Sequence, residues 1–190
     1  MLNYRLLQQL APLNFRYEDR TESLPDYLLR VSPLLPGVPP NLLAQWIYRH
    51  WRGFESNWSF LDLSRMQVHP QWLSTSQLCE QVDTRHRDVV ERWSDMLRSN
   101  RYVRRSWLAE YMMTHGTWPE PIIVLAPQEE ETYPDGTLMP RPWALLEGHH
   151  RLAYLKCLAE DNHPLQNRHP VWVLQHVSQC KTFLMQEMAS

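Results

Sequence analysis

The chain has 190 residues, of which 43% are hydrophobic and 21% charged, and a formal net charge of −2 at pH 7. This suffices for one core with an extension, and the near-neutral balance argues against a surface coated in cations for duplex DNA. Only five glycines occur (Gly37, Gly53, Gly116, Gly136 and Gly148), and no pair has the spacing of a P-loop or a dinucleotide-binding turn, so both phosphate-binding architectures are excluded.

Residues 31–40, VSPLLPGVPP, carry four prolines and read as a loop. Asn41 is placed to cap a helix in which Leu42, Leu43, Trp46, Ile47, Trp51 and Phe54 form an apolar stripe, and a short helix is expected near Asn57–Leu63. Ser74 and Gln77 have capping-box spacing, which predicts a helix to about Val82. Residues 84–100 predict an amphipathic helix with Val89, Val90, Trp93, Met96 and Leu97 on one face. A second helix is predicted over 102–114, stopped by Gly116, with Arg101, Arg104 and Arg105 at its start. That is the unfavourable end of the helix dipole for cations, so these arginines are candidates to meet a partner or an acidic neighbour.

Beyond residue 119 the pattern becomes strand-like. Ile122–Leu125 follows Pro121 as a short, β-branched apolar run, and residues 127–142 form a polar loop with an Asp135-Gly136 turn signal. Trp143–Leu146 and Val171–Leu174 predict two more buried strands. A helix is expected from His149 to Glu160 and another over 178–188. The predicted fold class is α/β (α+β), a small mixed sheet with helices. The expected division is a helical N-terminal extension over 1–100 packed on a core domain over 101–190. Three cysteines without a C-x-x-C pair, no signal-peptide pattern and no run of about 18 apolar residues read as a cytoplasmic protein with no membrane partner.

Glu147-Gly148-His149-His150-Arg151 lies where the second strand passes into a helix. Amides at a helix N-terminus favour an anion, Gly148 lets backbone approach a ligand, His149 and His150 offer donors, and Arg151 offers a bidentate fork. Glu147 is a candidate base or divalent-cation ligand. The competing reading is that Gly148 makes a turn while Arg151 pairs with Glu147 or a neighbouring acid. His149, His150, His163, His169 and Cys157 match no zinc-ligand frame.

Leu108–Gly116 followed by Pro121-Ile122-Ile123-Val124 resembles the helix-glycine-PIxV signature of ParB N-terminal domains, and Glu147–Leu155 resembles that family's phosphate box. The box is also similar to that of sulfiredoxin and, most closely, to the DGHHR of ParB-like serine kinases. The resemblance covers about 108–175 and implies a ParB/sulfiredoxin-like domain with a nucleotide-phosphate pocket. Gly148, His149, His150 and Arg151 would contact phosphates, while His115, Gly116 and Pro121 would line the pocket. Catalytic roles would fall to Glu147, His149 and His150, and the expected cofactor is ATP or CTP with Mg²⁺, the metal held by Glu147. His149 stands where sulfiredoxin has its catalytic cysteine, so sulfinic-acid reduction is not implied.

The leading expectation is therefore a nucleotide- or phosphate-binding protein, with nucleotide hydrolysis or phosphotransfer as its possible chemistry. The alternatives are a nucleic-acid-binding protein or nuclease using Arg101, Arg104 and Arg105 with the same box, and a non-catalytic protein-interaction module. A closed Arg151–Glu147 pair is the feature that would favour the last.

Overall fold

The computed structural model describes residues 4–13 and 22–177. The helix expected over 178–188 lies outside them. The chain divides into two compact units, one comprising residues 1–68 and 175–190, the other His69–Leu174. Residues 75–99, on the N-terminal side of the division expected at residue 100, pack within the second unit through α5 and α6.

In the first unit, α1 (Tyr4–Leu10) and α2 (Leu24–Val31) are tied by polar contacts. Ser23 caps α2 by accepting from the Asp26 amide, and the Tyr27 hydroxyl donates to Leu10 O at 3.0 Å. Arg30 donates to Ala11 O and pairs with Glu22 at 2.7 Å, which holds the Glu22 carboxyl below its ordinary range. The stripe expected over 42–54 is helical but interrupted. A short turn α3 (Pro40–Leu42) runs into a π-helical stretch, Leu43–Tyr48, and α4 (Trp51–Trp58) restarts after His50. Trp46 and Phe54 are buried and meet edge to face at 5.0 Å, a geometry that adds to their burial.

The second unit carries most of a five-stranded mixed sheet, ordered β1-β5-β3-β4-β2. Its strands are β1 (Met66–Ser74), β2 (Val82–Asp83), β3 (Ile122–Leu125), β4 (Trp143–Glu147) and β5 (Arg168–His176). The three predicted strands are present. β1 and β2 come from the half expected to be helical: β1 is a half-exposed polar strand without clean alternation, and β2 is only two residues long. The expected capping box of Ser74 and Gln77 starts α5 (Thr75–Gln81). The helix expected over 84–100 is α6 (Arg87–Ser99). The helix expected over 102–114 is split into α7 (Arg101–Arg104) and α8 (Trp107–His115) because Asn100 and Ser106 each cap a new start. The last helix is α9 (His149–Glu160).

β4 is antiparallel to β3 and parallel to β2, while β5 is parallel to β3. Because β2 and β4 run the same way, the helices that follow them, α6 and α9, begin at the same edge of the sheet. α6 and α9 pack against each other, and Val90, Leu97, Leu152, Leu155 and Leu158 are buried with the strand residues Val124, Leu145 and Val173. Each such side chain contributes about 1.5–3 kcal/mol. Between β3 and β4 the chain forms a projecting hairpin, with Thr132 bridged to Leu138 and Gly136 at φ +83° at its tip. Among the described residues, no helix is long and apolar enough to cross a membrane.

Candidate functional site

The register Ile123↔Glu147 brings the end of β4 beside the start of β3. Gly148 follows with φ +104°, and a Cβ there would lie 2.5 Å from Ile122 Cγ2. Glycine is required here by both backbone conformation and packing. Gly148 also gives α9 no side-chain cap, and the first helical bond inside the turn is Leu152 N to Gly148 O at 2.9 Å. The amides of the first turn, at His149, His150 and Arg151, have no acceptor within their own helix, and they carry the positive end of the helix dipole.

Arg151 points away from the role of an open fork. Its Nη1 donates to Glu120 O at 2.7 Å and Pro121 O at 3.1 Å, and its Nη2 pairs with Glu147. The two side chains are 9% and 16% exposed. The pair is therefore largely closed to solvent, and Arg151 buckles the start of α9 to the start of β3. Pro121 enters the site through its carbonyl, as an acceptor for Arg151. The Glu147 carboxylate expected to meet Mg²⁺ is engaged by the Arg151 guanidinium, and among the described residues no group of three His, Cys, Asp or Glu is gathered for a metal ion.

The imidazoles are differently placed. His149 is half-buried and its Nε2 shares a 3.1 Å hydrogen bond with the Thr84 hydroxyl, just after β2. Burial, reinforced by His86 nearby, pushes its pKa down to about 4, so the ring is neutral at pH 7. His86 precedes α6, lies 5.6 Å from His149 ring to ring, and is also shifted down, chiefly by burial. His150 is exposed, 3.9 Å from the Trp93 ring and stacked beyond it on Tyr154. The starts of α6 and α9 thus present three imidazoles, with the Trp93 indole of mid-α6 against His150. Thr84, His86 and Trp93 were not legible as site residues, since only the parallel pairing of β2 with β4 brings them to the box. That pairing rests on a strand too short to leave a periodicity.

His115 and Gly116 have other work. Gly116, at φ +65°, ends α8 and accepts from Gln166 N at 3.0 Å, and a Cβ there would crowd backbone at residues 164–166. His115 is exposed and stacks on Tyr111 at 4.2 Å, while its carbonyl accepts from the Gln166 amide. No hydrogen bond or ring contact among the described residues joins either to 147–151. The remaining histidines are also dispersed. His163 bonds to Met113 O, and His169 sits between the Thr75 and Thr117 hydroxyls.

A cleft of about 580 Å³ runs between α6 and α9 and reaches Thr84. Its rim includes Glu80, Asp83, Glu91, Asp95 and Glu160 against Arg87, Arg98 and Lys156. Arg87 pairs with Asp83, and Arg98 pairs with Glu160. With five carboxylates and three cations, this cleft repels a polyphosphate, so the place that favours an anion is the helix-start end. No family model, curated protein or solved structure matches the chain.

Proposed function

We propose that the protein binds a phosphate-bearing ligand, a nucleotide or another phosphorylated small molecule, at the start of α9. The observation that supports this reading is the meeting of two helix starts, neither with a side-chain cap, at the ends of parallel strands, with His86, His149 and His150 around them. In open α/β sheets this edge is where ligands gather, and helix-start amides suit phosphate oxygens. Trp93 offers a flat apolar surface beside His150 for a base or sugar. The same place is indicated by the resemblance to the ParB/sulfiredoxin-like box, with ATP or CTP as the first ligands to try.

Binding is better supported than turnover. Glu147, the expected base, is engaged by Arg151, and His149, with its pKa pushed down to about 4, is a weak base at pH 7. Arg151 holds the frame rather than the phosphate. An arriving anion would favour protonation of His149, so binding should take up a proton and strengthen as pH falls from neutral toward about 4, the pKa of the unliganded ring.

Calorimetry with ATP, ADP, CTP and inorganic phosphate, with and without Mg²⁺, tests this. The expected outcome is wild-type binding that weakens about ten-fold in His149→Ala or His150→Ala, a scale set by one charge-assisted hydrogen bond. Absence of wild-type binding under every condition would overturn it. A second reading, a non-catalytic protein-interaction module, is favoured by the closed Glu147–Arg151 pair, because packing alone then accounts for Gly148 and Arg151. Silence in calorimetry is what that reading expects.

A further inference from the structure

Away from this site, α7 and α8 carry an unusual outer face. Trp107 is 68% exposed and Tyr102 71% exposed, although tryptophan is seldom left in water. Ala109 and Met112 bury the opposite side of α8. Trp107, Tyr111 and His115 follow at i, i+4 spacing as a ladder of rings, with centroids 5.8 and 4.2 Å apart. Tyr111 is held between its two neighbours, so the rings left open to a flat group are those at the ends of the ladder, Trp107 and His115.

Arg101, Arg104 and Arg105 stand exposed immediately before this ladder. Arg101 lies over the Tyr102 ring at 4.9 Å. None of the three forms an ion pair among the described residues, whereas Arg85, Arg87, Arg98 and Arg151 all do. Glu110 is the acidic residue within α8. Arg101 opens α7, Arg104 ends it and Arg105 follows as its C-cap, so the three guanidinium groups cluster around one short turn with no carboxylate among the described residues to neutralise them. Three unpaired planar cations beside a stack of exposed rings match a polyanion that also carries flat faces. An acidic protein would use the charges and leave the ladder unused.

We propose that the α7–α8 face is a stacking platform for single-stranded nucleic acid, with Trp107 and His115, braced by Tyr111, receiving bases and Arg101, Arg104 and Arg105 receiving phosphates. It is a different site from the start of α9 and does not depend on it.

Fluorescence anisotropy with labelled single-stranded DNA and RNA of about a dozen nucleotides tests it. At about 50 mM salt the wild type should bind, and three phosphate contacts predict a log–log salt slope of about −2. Trp107→Ala should weaken binding about ten-fold with the slope unchanged. Arg104→Glu with Arg105→Glu should weaken it further and flatten the slope. His149→Ala with His150→Ala should leave it intact, which separates this proposal from the phosphate site. All these positions are exposed or half-exposed, and circular dichroism checks that each variant is folded. The proposal is overturned by absence of binding at low salt, by Trp107→Ala binding as well as wild type, by equal binding of duplex, or by an acidic peptide competing as well as the oligonucleotide.

Discussion

His169 shows how this chain handles a polar side chain in its interior. The ring is fully buried, with Nε2 at 3.0 Å from the Thr75 hydroxyl and Nδ1 at 2.9 Å from that of Thr117. Two hydroxyls satisfy a neutral imidazole but offer no counter-charge, and burial takes its pKa down to about 4. The folded state therefore binds fewer protons than the unfolded chain between about pH 6.5 and pH 4. The neutral ring's stability is present in full above that window and is lost as pH falls through it. His149, less buried, acts in the same direction. Urea unfolding between about pH 7 and pH 4.5 should lose about 2–3 kcal/mol by this route. His169→Gln should lower stability at neutral pH and flatten the pH dependence. An unchanged slope in that variant would place the titration elsewhere.

The junction of β4 and α9 is built on what Gly148 lacks. Gly148→Ala puts a methyl 2.5 Å from Ile122 Cγ2 in a left-handed backbone, so the start of α9 or of β3 must shift. The expected loss is about 2–4 kcal/mol by thermal or urea unfolding. Combined with Ile122→Ala, which removes the clashing methyl but opens a cavity, the loss should be smaller than the sum of the two single losses. Much of this element-level organisation was legible in the sequence. The apolar runs at 121–125 and 143–146, the Ser74–Gln77 box and the amphipathic pattern over 84–100 each carry their own periodicity or cap. The break between α7 and α8 was missed because the helical pattern continues across it, and only the Ser106 cap marks the restart. At the site, the sequence located Gly148 but not its neighbours. The pairing of Arg151 with Glu147 at i, i+4 was anticipated as one alternative, while the contact of His149 with Thr84 spans distant segments that no local spacing connects.

On the scale of the whole molecule, charge is nearly balanced, with 19 Lys and Arg against 21 Asp and Glu and a sequence pI of about 6.5. Seventeen of the cations are arginines, and those of α6 and α9 are largely consumed by internal pairs. A molecule with so little net charge repels its copies weakly, so solubility should pass through a minimum near pH 6.5 and rise on either side. Turbidity against pH at fixed salt measures this. A mixed sheet flanked by helices forms the second unit, and the strands β1 and β5 each extend past its boundary into the first. The hairpin between β3 and β4 is tied to the chain before α6 by the Arg85–Asp135 pair at 2.9 Å, with Arg85 lying over the buried Tyr133 ring. Its tip turns through Gly136 N to Tyr133 O, and nothing lies within 4 Å of where a Gly136 side chain would be. Such a tip is a natural splice point: an epitope or fluorophore-bearing loop inserted between Gly136 and Thr137 would leave the Arg85–Asp135 pair in place and be carried outside the fold, giving a handle for imaging and immobilisation.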